Sequence, residues 1–107
     1  MVNPMPRARV RCRTDGNHAE IREAFRQLGC SVADTSRLGD GFPDLLVGYR
    51  RRNLLVEVKD GSKSPSRRKL SDDEAKFHAE WRGQVAVVET VDDVARLIAA
   101  HNPMLWE

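Results

Sequence analysis

Apolar residues recur along the chain with two different periods, and each change of period marks a new element. The first helical face is formed by four apolar side chains, Ile21, Ala24, Phe25 and Leu28. Their spacing predicts an amphipathic helix over residues 15–28, with Gly29 as its terminator. The same spacing returns near the end of the chain on Val91, Val94, Ala95 and Ile98. A last helix is therefore predicted there, capped by Thr90.

The segments between these helices are short apolar runs rich in β-favouring residues. A short extended segment is predicted over residues 31–33. Two strands are predicted over residues 44–49 and 54–59, and the spacing of residues 50–53 suits a hairpin turn between them. A further strand is predicted over residues 84–88.

The segment between the hairpin and the last strand begins as a loop and continues as a helix. Residues 60–69 contain Gly, Ser, Pro and several cations, a composition that predicts a mobile, exposed loop. Ser71 and Glu74 then match the reciprocal capping pattern of a helix start, and this helix is predicted to run to about Trp81. The order αβββαβα predicts an α/β fold in which a mixed central sheet is flanked by helices.

Composition limits the number of domains and the class of protein. A chain of 107 residues with 40% hydrophobic content can bury one core, so residues 1–107 are expected to form a single domain. No run reaches the roughly 18 apolar residues of a membrane helix, and the arginine-rich N-terminus lacks the apolar stretch of a signal peptide. A soluble cytoplasmic protein is expected. Cys12 and Cys30 are in no metal or redox spacing and are expected to be reduced.

Three residues on the predicted hairpin carry the chemistry of a hydrolytic site. Asp44 begins one strand, while Glu57 and Lys59 are two residues apart on the next, so their side chains project from the same face. If the strands pair through the predicted turn, Asp44 approaches Glu57. Two carboxylates can then hold a divalent cation, and the ammonium can handle a water or stabilise a phosphate. The alternative is a pair of surface carboxylates with a cross-strand ion pair.

Basic residues occur in clusters although the net charge is only +2. Two clusters are candidates for binding nucleic acid: Arg50, Arg51 and Arg52 in the hairpin turn, and Lys63, Arg67, Arg68 and Lys69 in the following loop. The alternative for each cluster is a solvated surface. The alternating Arg7, Arg9, Arg11 and Arg13 either follow a phosphate backbone or form a disordered basic arm.

Taken together, these features resemble the VRR-NUC family of the PD-(D/E)XK nuclease superfamily. The likeness covers a helical Glu20, Gly-x-Pro-Asp at residues 41–44, Glu-x-Lys at residues 57–59, and a Leu-Ser-x-x-Gln-x-x-Trp-like helix represented by residues 70–77. A Glu-x-Lys alone carries little information, whereas the joint pattern is specific. The resemblance implies a restriction-endonuclease-like core and a DNA endonuclease that depends on Mg²⁺ or Mn²⁺.

The resemblance also implies roles for individual residues. The implied metal-site residues are Glu20, Asp44, Glu57 and, through its carbonyl, Val58, and the implied catalytic residues are Asp44, Glu57 and Lys59. Glu20 lies at the boundary of its helix's apolar face, so the alternative is an ordinary solvated side chain. Glu74 stands where the family has Gln, at the edge of the expected site. Both a site role and a capping role with Ser71 are open for it.

The family and the small size of the chain together predict the kind of substrate. We expect structure-selective cleavage of branched DNA such as a four-way (Holliday) junction by a homodimer, because one small domain offers little surface for a duplex. The apolar tail residues Met104, Leu105 and Trp106 either form the dimer contact or fold back onto the core. The alternatives are a duplex-nicking or restriction-like nuclease and a non-catalytic nucleic-acid-binding module with the same fold.

Overall fold

The structure is a computed structural model, and it describes residues 16–102. The described residues form four helices and four strands, which follow one another in the order α1 (His18–Gln27), β1 (Ser31–Asp34), β2 (Leu45–Tyr49), β3 (Arg52–Val58), α2 (Pro65–Arg68), α3 (Asp72–Glu80), β4 (Val85–Val88) and α4 (Val91–Ala100). The predicted α/β architecture, a mixed sheet flanked by helices, is confirmed. In this described range, each helix is too short or too polar to cross a membrane.

The four strands form one sheet in the order β1-β2-β3-β4. The first three strands are antiparallel neighbours, and β4 joins β3 in parallel. A parallel neighbour requires a crossover connection, which α2 and α3 provide. The register pairs Leu45 with Val56 and Tyr49 with Arg52, so β2 and β3 form a hairpin whose open end carries Asp44 and Glu57.

The hairpin turn is shorter than the sequence indicates. Tyr49 and Arg52 are already paired, so only Arg50 and Arg51 remain in the turn instead of residues 50–53. Both have positive φ, at 50° and 68°. This is the left-handed backbone of a two-residue turn whose twist matches that of the flanking strands.

The core lies between one face of the sheet and the helices α1 and α4. The sheet contributes alternate residues of its strands to this core: Leu45 and Val47 from β2, Leu54, Val56 and Val58 from β3, and Val88 from β4. The helices contribute Ile21, Phe25, Val94 and Ile98. Cys30 is buried at its edge with a free thiol, and burial raises the pKa of that thiol. Because strand side chains alternate, Asp44, Leu46, Leu55 and Glu57 belong to the opposite face.

The connection between β3 and β4 differs in one part from the prediction. The segment predicted as an irregular mobile loop contains a helical turn, α2, which begins with Pro65 at a position where proline is favoured. The helix after it is confirmed, and Ser71 and Glu74 form the predicted capping box. The predictions for Arg7 to Arg13, for Cys12 and for the tail residues Met104, Leu105 and Trp106 lie outside the described residues.

Candidate active site

Asp44 is held at the start of β2 by a loop that is itself anchored. The backbone N–H of Thr35 donates to the carbonyl of Asp44 at 2.8 Å, and the Thr35 hydroxyl donates to the carbonyl of Pro43 at 2.7 Å. Gly41 adopts a φ of 81° and lies so close to α3 that an added Cβ would be 2.3 Å from the carbonyl oxygen of Asp73. The Gly-x-Pro-Asp sequence is therefore explained by packing: glycine permits the close approach, and the buried proline fixes the following residue.

The carboxylate of Asp44 contacts the end of β3. Its Oδ2 accepts the backbone N–H of Val58 at 2.9 Å. Burial raises the pKa of Asp44, an effect only partly offset by that hydrogen bond and by the charge of His18. The predicted approach of the two strands at this point is therefore observed, and the contact with Asp44 is made by the N–H of Val58.

Glu57 is the most unusual group of the site because it is an acid that is only 2% exposed. Among the described residues, no N–H or O–H donor reaches its Oε1. Burial, followed by the neighbouring negative charges of Asp44 and Glu74, raises the pKa of Glu57 to about 10. A buried carboxyl with an oxygen that no donor satisfies has a strong preference for either a proton or a cation.

Lys59 is positioned between two carboxylates. Its Nζ lies 2.8 Å from Oε1 of Glu74 and 3.8 Å from Oε2 of Glu57. Burial opposes ionisation of Glu74, but hydrogen bonds from Lys59 and from the backbone of Ser71 outweigh it, so the pKa of Glu74 is lowered. The structure thus gives Glu74 both of the roles that the sequence left open, since it caps α3 and also contacts the candidate catalytic lysine.

On α1, the site is approached by His18 and not by Glu20. His18 is 3% exposed and lies on the buried face with Ile21 and Phe25, and its charge lowers the pKa of Asp44. The Nδ1 of His18 is hydrogen-bonded to Arg22. His18 was not among the residues predicted for the site, although its i, i+3, i+7 spacing with Ile21 and Phe25 indicates a buried position.

Glu20 is exposed and belongs to a neighbouring cleft. It lines a cavity of about 360 Å³ together with Asn17, Asp60 and Glu89. Asn17 connects this cleft to the end of β3, since its Nδ2 donates to the carbonyls of Lys59 and Glu89 at 3.1 and 2.9 Å. Among the described residues, Glu20, Asp44 and Glu57 do not form a group that could hold a metal ion.

Phe77 of α3 forms an aromatic cluster with Trp81, which follows the helix, and with Phe42 of the loop before β2. Phe77 stacks on Trp81 with ring centroids 5.0 Å apart, and Phe42 contacts both edge-on. Burial lowers the pKa of the half-buried His78. His78 thus lies at the edge of this cluster, with its ring centroid 6.5 Å from that of Phe77.

The two basic clusters lie at opposite ends of the hairpin. Residues 60–69 follow β3 directly and so border the carboxylates, whereas Arg50, Arg51 and Arg52 are at the turn. Arg68 has a structural role, because its Nη1 is 2.9 Å from Oε1 of Glu89 and its Nε donates to the carbonyl of Lys63 at 2.7 Å. Arg67 and Lys69 are exposed.

The donors of the site fit a hard divalent cation better than a soft metal, because they are carboxylate oxygens. Within residues 16–102, no three His, Cys, Asp or Glu side chains form a ready-made metal-binding group. Asp44 and Glu57 provide two carboxylates beside the backbone of Val58, and Mg²⁺ commonly keeps several waters in such sites. Oε1 of Glu57, which no donor among the described residues reaches, is the oxygen best suited to contact such a cation.

The chain was compared with protein-family models, with curated proteins and with solved structures, and none matches it.

Proposed function

We propose that this protein is a Mg²⁺- or Mn²⁺-dependent endonuclease that hydrolyses phosphodiester bonds of DNA, with a PD-(D/E)XK core of the VRR-NUC type. The observation that carries the proposal is Glu57, which is buried with an oxygen that no donor reaches, next to Asp44 and 3.8 Å from Lys59. A buried acid with an oxygen that no donor reaches lowers stability, so its presence is better explained by a ligand than by packing.

In this proposal, each residue has a distinct task. Asp44 and Glu57 bind the cation, and the N–H of Val58 fixes the orientation of Asp44. A bound Mg²⁺ or Mn²⁺ supplies positive charge against the phosphate and lowers the pKa of water. Lys59 orients the attacking water or stabilises the charge that develops on the phosphate. Glu74 holds the ammonium in place through its 2.8 Å contact.

The substrate in this proposal is branched DNA, such as a four-way junction, and the active form is a homodimer. Paired cuts on a junction require two active sites related by symmetry, and a second copy also extends the surface available to DNA. Support for a second copy comes from exposed apolar side chains on the side opposite the core: Leu46 of β2 and Val87 of β4 are exposed by 37% and 40%, and Trp81 at the end of α3 by 44%. Exposed apolar side chains are typical of interfaces when they lie in one patch.

A cleavage assay with several DNA structures tests the proposal. Purified protein is incubated with Mg²⁺ or Mn²⁺ and linear duplex, flap, single-stranded or four-way junction DNA. We expect symmetric paired cuts on the junction and no cleavage in EDTA. Nicks restricted to linear duplex would favour a nicking or restriction-like nuclease, and metal-independent binding without cleavage would favour a non-catalytic module.

Variants assign the activity to the site. We expect cleavage to be abolished, with a rate reduced by at least about 100-fold, in each of three variants: Asp44→Asn, Glu57→Gln and Lys59→Ala. The circular dichroism spectrum should be retained, because none of these changes removes core volume. Glu80→Gln and Lys76→Ala are matched controls on the exposed surface of α3 and should cleave like the wild type. Near-wild-type turnover in any of the three site variants would remove that residue from the mechanism.

A further inference from the structure

The turn between β2 and β3 combines a strained backbone with three neighbouring arginines. Arg50 and Arg51 both have positive φ, a conformation that L residues with a Cβ adopt at an energetic cost. Turns of this type normally contain Asn-Gly, which adopts positive φ far more readily. The chain therefore keeps two arginines where a different pair would be more stable, and strain of this kind is commonly retained for a functional reason.

The arginines line a cavity that has no acidic side chain. Its volume is about 460 Å³, and its lining residues are Gly29, Ser31, Gly48, Tyr49, Arg50, Arg51, Arg52 and Asn53. Arg50 lies over the ring of Tyr49, 5.9 Å from its centroid, which limits where its guanidinium can be. Among residues 16–102, no carboxylate forms an ion pair with any of the three arginines. This positive charge is thus available to an anionic ligand.

The distance between the turn and the carboxylates limits which ligand can contact both. Asp44 directly precedes the five residues of β2, and Arg50 directly follows them. At about 3.3 Å per residue, the turn lies on the order of 16–20 Å from the carboxylates. Stacked base pairs of a duplex are about 3.4 Å apart, so for a duplex that lies along the hairpin this distance corresponds to about five base pairs.

We propose that the Arg50–Arg51 turn is a second DNA contact, which binds backbone phosphates of a duplex arm about five base pairs from the bond that is cut. This inference rests on the proposed nuclease function and specifies its substrate: the DNA must carry a duplex arm long enough to reach the turn. Three guanidiniums suit phosphate oxygens because each offers several N–H donors in a fixed plane. In this proposal the arginines increase the affinity for DNA and fix the position of the duplex, while the carboxylate site carries out cleavage.

The variant Arg50→Asn with Arg51→Gly tests the proposal, because it separates stability from binding. It introduces the residue pair that the turn favours, so the melting temperature should rise by about 4 °C or more. Affinity for junction DNA with 12-base-pair arms, measured in EDTA, should fall about tenfold, and the slope of log K against log salt should decrease by about 2. The matched control, Arg82→Gln with Arg96→Gln, removes the same charge outside this cavity and should bind nearly like the wild type.

Arm length provides the second measurement. With arms of three base pairs, wild type and turn variant should bind equally, because the duplex does not reach the turn. Equal binding with long arms, or an equal loss with short and long arms, would overturn the proposal. If inorganic phosphate stabilises the wild type but not the variant while arm length has no effect, the cavity binds a free anion and the duplex-arm proposal is wrong. Since binding is measured without metal, absence of cleavage would count against the nuclease function alone.

Discussion

Nζ of Lys59 and the backbone N–H of Ser71 both donate to Oε1 of Glu74, each at 2.8 Å. One carboxylate oxygen therefore caps α3 and also holds the ammonium beside Glu57. The start of α3 and the end of β3 are connected through this single atom, so the helix position and the lysine position are coupled. This connection explains why an acid at this position is compatible with the site.

Replacing Glu74 separates its two roles. Glu74→Gln keeps an oxygen that can accept from both donors but removes the negative charge, so the fold should be retained and Mg²⁺ affinity should fall by about tenfold or less. Glu74→Ala also removes half of the capping box and should lower the free energy of unfolding by about 1 kcal/mol. Calorimetry with Mg²⁺ and urea denaturation measure the two effects. An equal loss of stability in both variants would contradict the assignment of metal affinity to the charge of Glu74 and of helix capping to its oxygen.

The buried acid should make stability depend on pH in the absence of metal. The pKa of Glu57 is raised from 4.5 to about 10 in the folded protein, so the folded state binds one more proton than the unfolded state between these values. The free energy of unfolding should therefore decrease as pH rises above about 4.5. Glu57→Gln, which mimics the neutral acid, should remove this decrease and be about 1 to 3 kcal/mol more stable than the wild type at pH 8.

Urea denaturation in EDTA at several pH values measures this difference. Glu80→Gln, an exposed acid on α3, serves as the control and should follow the wild-type curve. If Glu57→Gln is less stable than the wild type at pH 8, Glu57 is ionised in the folded protein and the neutral-acid interpretation is wrong.

The first helix provides a test of which residue belongs to the site. Glu20 is exposed and lines the neighbouring cleft, whereas His18 is buried and its charge acts on Asp44. Glu20→Gln should therefore leave Mg²⁺ affinity within about threefold of the wild type, and His18→Gln should reduce cleavage by at least about tenfold. Glu23→Gln, an exposed acid on the same helix, is the control. A strong loss of metal affinity in Glu20→Gln would restore the ligand that the family resemblance implies.

The basic segment beyond β3 should divide into a structural and a DNA-contacting part. Arg67 and Lys69 are exposed, so Arg67→Gln with Lys69→Gln should weaken DNA binding and reduce the salt slope by about 2 without changing the melting temperature. Arg68→Gln should instead lower stability by up to about 1 kcal/mol, because it breaks the ion pair with Glu89. An unchanged salt slope in the double variant would identify those residues as solvated surface.

The oligomeric state can be tested at the exposed sheet face. We expect sedimentation equilibrium at micromolar concentration to give a dimer mass, and Leu46→Glu to shift it toward the monomer, because Leu46 belongs to the exposed apolar face. Leu38→Glu is the matched control, since Leu38 is 61% exposed in a loop. A monomeric wild type, with and without junction DNA, would rule out the dimer and weaken the case for a junction substrate.

Much of this fold follows from local patterns in the sequence. The helical spacing of apolar residues located the principal helices, the short apolar runs located the strands, and the capping box at Ser71 and Glu74 was visible as a motif. The approach of Asp44 to the Glu57 strand was expected from the hairpin, but the register that places Asp44 opposite Glu57 was set by a turn two residues shorter than predicted. The helical turn α2 was missed because its composition is that of a loop.

The sequence by itself determined which chemical groups the hairpin carries, since spacing of two along a strand puts Glu57 and Lys59 on one face. Only the tertiary structure decided how these groups interact with the rest of the chain. Packing of Ile21 and Phe25 sets the rotation of α1, and this brings His18 toward Asp44 while Glu20 faces a different cleft. The burial of Glu57 and its raised pKa depend on the same long-range packing, because desolvation is a property of all the surrounding elements and not of local sequence.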